Sequence, residues 1–196
     1  MSALFTTVNA AADRVAMHGV RRALLEAQAA SARLPLHIID LPWPCTNEDY
    51  ERIMSKFLDD ARAAGVTQMA FGDLFLENIR RYRERNLEGT GITPIFPVWG
   101  LETNGLARDM IEAGLEAILS CVDLAKLDRS FAGKAFDAEL LAALPEGTDP
   151  CGENGEFHSF VTAGPMLARP LKIDVGDVVE RDGFAFADLV QTAVAR

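Results

Sequence analysis

Cysteine is scarce: Cys45, Cys121 and Cys151 stand alone in 196 residues, with no Cys-x-x-Cys pair. That spacing speaks against a structural zinc site, and the odd count fits reduced thiols in a cytoplasmic protein. Histidine is equally sparse. His18, His37 and His158 are not spaced as local metal ligands, so no metal site is expected. Basic residues are outnumbered, 19 Lys and Arg against 29 Asp and Glu, for a net charge of −10. A general nucleic-acid surface wants a basic stripe and is not expected here. A single nucleotide is not excluded, since one phosphate site needs only a few local donors. No apolar run approaches membrane-spanning length, and no basic-then-apolar leader opens the chain. A Walker-type glycine loop is absent as well.

What is present is a globular composition, 49% hydrophobic and 24% charged, long enough to bury a sizeable core without staples. Strand-like runs alternate with helical ones. Residues 3–8 read as a strand, 13–32 as a helix with Met17, Val20, Leu24 and Ala27 as its stripe, and 35–39 as a second strand. Thr46 or Asn47 caps a helix ending near Gly65. A strand over 67–71 follows, then Gly72-Asp73, a charged helix through Leu87, an extended piece over 92–96, a helix opened by Thr103 or Asn104, and a strand over 115–122. This alternation predicts an α/β fold, a parallel sheet with helices on both faces, over residues 1–125. Residues 126–196 change character, with short strands and a hairpin signal at Asp182-Gly183, and predict a smaller C-terminal α+β unit. In parallel sheets ligands sit beyond the carboxyl ends of strands, where Asn9, residues 42–46, Phe71-Gly72-Asp73 and Cys121-Val122-Asp123 fall.

The densest chemistry lies in Cys151-Gly152-Glu153-Asn154-Gly155-Glu156-Phe157-His158-Ser159. Its glycines permit positive φ and close approach to a ligand. In an extended chain Glu156 and His158 would share one face, as an acid/base pair, with Phe157 and Ser159 on the other. The same string also reads as an ordinary polar turn followed by a strand. Cys121 and Cys151 read as buried or incidental thiols, and the Arg80-Arg81-x-Arg83-Glu84-Arg85 run as either a solvated helix face or a holder of phosphate or carboxylate.

The nine-residue string resembles the Glu-Gly-Gly-Glu-Phe-His-Thr signature of the diphthine–ammonia ligase-like family, a branch of the PP-loop ATP pyrophosphatases with an adenine nucleotide alpha hydrolase-like fold. Asn154 stands for a glycine and Ser159 for the threonine. The resemblance continues in one register through Phe71-Gly72-Asp73-Leu74, Arg80, Glu84 and the Pro97-Val98-Trp99 segment, with Tyr82 where the family often has arginine. It implies that Thr7, Asn9, Met17, His18, Gly72 and Asp73 bind the nucleotide, with Met17-His18 in a helix near the adenine. It implies that Arg80, Glu84, Gly152, Glu153, Asn154, Gly155, Phe157 and Ser159 form the substrate site, with Glu156 and His158 catalytic. ATP with Mg would then activate an unknown carboxylate by adenylation for amide formation. The family's phosphate loop, Ser-Gly-Gly-x-Asp-Ser, occurs nowhere in the sequence. The fold is therefore expected to be N-terminally incomplete, with AMP alone bound if the phosphate site is absent, and with oligomerisation as one compensation for the exposed sheet edge. The alternatives are a non-catalytic nucleotide-binding or interaction protein that has lost ATP chemistry, and a hydrolase using the Glu156–His158 pair alone.

Overall fold

A computed structural model of the chain describes residues 1–15 and 18–192. Strand β1 (Leu4–Asn9) pairs in parallel with β3 (Leu36–Leu41), from Leu4 opposite Leu36 to Asn9 opposite Leu41. Between them the chain doubles back as the short β2 (Arg14–Val15), antiparallel to the end of β1, before helix α1 (Arg22–Ala32) begins. The helix expected from residue 13 thus starts only at Arg22. Asp13 at φ 52° and Gly19 at φ 68° are left-handed, which a helix does not tolerate. Gly19 has no room for a side chain either, since an added Cβ would lie 2.7 Å from the Phe186 ring. Arg14 and Arg21 grip Asp188 at 2.9 and 2.6 Å, fastening this turn to a distant strand. Val20 and Leu24 of the expected stripe are buried all the same, while Met17 lies outside the described residues.

Helix α2 (Asn47–Ala63) opens on Thr46, whose hydroxyl accepts from the Asp49 N–H at 3.1 Å. Strand β4 (Gln68–Ala70) pairs in parallel with β5 (Thr93–Ile95) around helix α3 (Glu77–Leu87). Helix α4 (Thr103–Glu112) is capped one residue earlier than the sequence suggests. The Glu102 carboxylate accepts from the N–H groups of Asn104 and Gly105 at 2.9 and 2.7 Å.

The largest sheet is antiparallel, in the order β7-β6-β9-β8, built from β6 (Glu116–Asp123), β7 (Phe157–Ala163), β8 (Ile173–Arg181) and β9 (Phe184–Gln191). The single parallel sheet of the expectation is therefore replaced by two small sheets with parallel pairs and this antiparallel one. The run over 115–122 misled because a central strand covered on both faces is apolar throughout in either kind of sheet. Ala117, Leu119, Cys121 and Val122 are all buried. The hairpin at Asp182-Gly183 forms as expected, with both residues at positive φ, 53° and 82°. A 3₁₀ turn (Arg129–Phe131) and helix α5 (Ala138–Ala143) cover the sheet. The main core gathers Leu24, Leu119, Phe157, Phe160 and Leu189, and a smaller one joins Leu58, Met69, Leu87 and Ile92.

Candidate functional site

Residues 149–156 form a loop braced from within. Gly152 and Gly155 take φ of 70° and 79°, and a Cβ on Gly152 would come 2.8 Å from the Phe157 carbonyl oxygen. Only glycine suits that position. Glu156 is 4% exposed. Its Oε1 accepts from the Asp149 N–H and the Asn154 side-chain amide, both at 3.1 Å, and its Oε2 is buried without a partner. Asp149 accepts from the Glu153 N–H at 2.7 Å, and Lys126 Nζ donates to the Asn154 carbonyl at 2.6 Å. Glu156 precedes β7 and turns into the loop. It shares no hydrogen bond with His158 among the described residues. Phe157 is 3% exposed, its ring 6.4 Å from that of Phe136 in the core.

Glu153 reaches out of the loop. Its Oε1 accepts from the Leu74 N–H at 2.7 Å and ties the signature to the Gly72-Asp73-Leu74 turn. Asp73 does not start a helix, since α3 begins at Glu77; it accepts instead from Arg83 Nε at 3.2 Å. The Arg83 guanidinium lies over the Phe71 ring, 4.7 Å from its centroid. Arg80 and Glu84 pair with each other at 2.9 Å. The Arg80 guanidinium also stands over Phe96 and Trp99, at 4.9 and 4.7 Å.

A cleft of about 650 Å³ opens beside this region. Of the residues singled out in the sequence, it brings together Thr7 of β1, His18 of the turn before α1, Phe71 after β4, Tyr82 and Arg83 of α3, and Ser159 of β7. His158 joins them through His18: the two imidazoles stack with centroids 4.1 Å apart and planes 19° apart. Asn9, Gly72, Asp73, Arg80, Glu84 and the 152–157 segment lie off the cleft wall. Asn9 instead accepts from the N–H groups of Ala11 and Ala12 at 3.0 and 3.1 Å, closing the turn after β1. Gln28, Tyr50 and Asn86 also line the cleft and were not picked out. They come from three separate helices, with no local spacing to link them.

Burial pushes the His18 imidazole down to about 4, helped by the neighbouring His158, and burial lowers His158 too. Both rings are neutral at neutral pH, and each keeps a lone pair able to take a proton. Burial, with Asp123 near the one and Asp149 near the other, drives the thiols of Cys121 and Cys151 up to about 12, so neither is a thiolate at neutral pH. Among the described residues no group of three or more His, Cys, Asp or Glu is placed to hold a metal, and no helix is long and apolar enough to cross a membrane.

Comparison with known proteins falls on the same region. Residues 102–190 match the family model described as the diphthamide synthase C-terminal domain. The chain is 29% identical over 147 residues to a diphthine–ammonia ligase of Rattus norvegicus and 28% identical over 146 residues to that of Homo sapiens. Each match covers 71% of this chain and 53% of the relative. A Schizosaccharomyces pombe diphthine–ammonia ligase is 29% identical over 110 residues, covering 54% of this chain and 18% of its own length. The matched span is thus about half the length of the mammalian relatives and a smaller share of the Schizosaccharomyces pombe one.

Proposed function

We propose that this chain, which is diphthine–ammonia ligase-like, binds an adenine nucleotide at the cleft and serves an ATP-dependent, amide-forming reaction on a carboxylate substrate. The observation that carries this reading is the meeting of two distant segments. Thr7 and His18 from the first sixth of the chain share a cleft with Ser159, and His18 stacks on His158 of the signature strand. In this reading residues 1–125 supply the nucleotide side and 126–196 the substrate side. ATP would supply an acyl adenylate with loss of pyrophosphate, and ammonia or an amine would displace AMP.

The chain's own contributions follow from the geometry. The aromatic and aliphatic cleft wall suits a base, and the neutral His18 offers a face or a lone pair to it. Neutral His158 suits proton removal from an attacking ammonium or amine. Glu153 holds the signature loop against the Gly72-Asp73-Leu74 turn. Glu156 braces that loop internally and presents one unpartnered oxygen.

The residues fit an adenosine better than a triphosphate with Mg. Arg80 is occupied by Glu84 and two aromatic rings, and Arg83 by Asp73 and Phe71. The sequence holds no glycine-rich phosphate loop. Those two facts favour a second reading, a nucleotide-binding protein without ATP turnover.

Calorimetric titration with AMP and with Mg-ATP separates the two. Binding of both, with ATP no tighter than AMP, supports an adenosine site without phosphate recognition. Markedly tighter ATP binding supports the catalytic reading. If neither binds, the nucleotide assignment fails.

A further inference from the structure

We propose that Arg129 guards the outer edge of the large antiparallel sheet: it occupies a strand edge that would otherwise pair with the same edge of a second copy of this chain. The inference does not rest on the nucleotide reading. It rests on the hydrogen-bond pattern of β8 and on two contacts of Arg129.

β8 stands at the end of the order β7-β6-β9-β8. The hairpin decides which of its peptide groups point outward. Asp182-Gly183 is a two-residue turn with both residues at positive φ, so the flanking Arg181 and Phe184 form a hydrogen-bonded pair. Hydrogen-bonded and open pairs alternate along an antiparallel ladder. Val179 is therefore bonded to Phe186, whereas Val178 and Glu180 turn their N–H and C=O groups away from β9. The far side of β9 agrees, since the Leu124 N–H donates to the Gly183 carbonyl at 3.0 Å. Arg129, on the 3₁₀ turn, sits on the outward side of β8. Its Nη2 donates to the Val178 carbonyl at 3.0 Å, and its Nε lies 3.4 Å from Glu180 Oε1. Among the described residues no other group bonds to the outward peptide groups of Val178 and Glu180.

This edge is complementary to itself. Antiparallel pairing of β8 with β8 of a second copy, centred on Val179, sets Val178 opposite Glu180 on both sides of the axis and engages the outward groups of each. Val179 would meet its own copy across that axis, and at 58% exposed it is the most exposed valine of the strand. Asp177 and Arg181 would stand opposite each other twice, with opposite charges. A strand of another chain would find the backbone groups without this charge match. Toward the start of β8, the register shift between Val175 and Val178 breaks the ladder and keeps the pairing surface short. One cation on the Val178 carbonyl therefore denies the centre of it.

Sedimentation of the whole chain and of Arg129→Ala over a concentration series tests this. The variant should self-associate at least about tenfold more tightly than the native chain, the equivalent of one lost charge-assisted hydrogen bond. Its thermal midpoint in dilute solution should be unchanged, because the Arg129 side chain is 54% exposed. Glu180→Gln, which releases Arg129 from its anchor, should shift association in the same direction. The Val178 and Glu180 amides should exchange fast in the native chain and slow as the variant is concentrated. In the Arg129→Ala background, Val179→Cys should form a disulfide with its own copy and Val175→Cys should not. Val179→Lys in that background should restore native behaviour by setting like charges across the axis.

Several results would overturn the proposal: an Arg129→Ala chain that associates no more than the native one, a native chain that already associates with slow Val178 and Glu180 amides, association indifferent to Val179→Lys, or a disulfide that forms through Val175→Cys instead.

Discussion

Replacing His18 by phenylalanine should flatten the acid side of the stability curve. His18 is stacked on His158, and in the folded chain its pKa falls from 6.5 to about 4, chiefly through burial and then through the charge on its neighbour. His158 is lowered by burial alone, so it takes the pair's first proton and its charge opposes the second. The sign follows from proton counts. Between pH 6.5 and about 4 the unfolded chain binds a proton at position 18 that the folded chain refuses. Stability from this group is present in full above pH 6.5, declines as pH falls through that window, and changes no further below about 4.

One pH unit across the window is worth about 1.4 kcal/mol, which gives a loss of about 2 kcal/mol at pH 5 relative to pH 7.5, tending to about 3 kcal/mol near pH 4. Urea unfolding of the native chain and His18→Phe at pH 7.5 and pH 5 isolates the term. Phenylalanine keeps a flat ring against His158, and the carboxylates titrate alike in both proteins. The native chain should lose about 2 kcal/mol more than the variant. Equal losses, or an NMR titration of His18 with an ordinary midpoint, would refute the stacked, buried pair.

Three further outcomes follow from the loop. Glu156→Ala strands the Asp149 N–H and the Asn154 amide and should cost about 2 kcal/mol or more in denaturant unfolding, whereas Glu156→Gln keeps the Oε1 acceptor and should stay within about 1 kcal/mol. Glu153→Ala should raise amide exchange at Leu74 while leaving Asp149 and Asn154 amides unchanged, since only the clasp between loop and turn is lost. Gly152→Ala combines a left-handed φ with a contact of 2.8 Å to the Phe157 carbonyl, and should lower stability by about 2–3 kcal/mol, read from the thermal or urea midpoint.

Local signals in the sequence carried most of the elements. The Thr46 cap, the Asp182-Gly183 hairpin, the charged helix before Leu87 and the turn-rich 147–155 stretch all rest on short-range chemistry, and all form. Sheet assembly was not legible in the same way. The run over 115–122 announces a covered strand, but its partners β7 and β9 lie tens of residues downstream, and nothing local distinguishes parallel from antiparallel neighbours. The start of α1 failed for a related reason. Stripe residues Val20 and Leu24 do enter the core, while Asp13 and Gly19 adopt left-handed turns held by Asp188 and Phe186 from the far end of the chain. A long-range contact decided a local boundary.

The signature stretch shows how far residue type alone can lead. Alternation along an extended chain pairs Glu156 with His158, yet the two share no hydrogen bond among the described residues. Glycines at 152 and 155 bend the backbone, so the period of two begins only at Phe157. Glu156 then turns inward to brace Asp149 and Asn154, Glu153 turns outward to Leu74, and His158 finds its partner in His18. The two carboxylates of one short motif thus do different work, and the imidazole's neighbour stands 140 residues away in the chain. The Glu153 clasp and the His18 stack together join the signature to the segments that build the cleft.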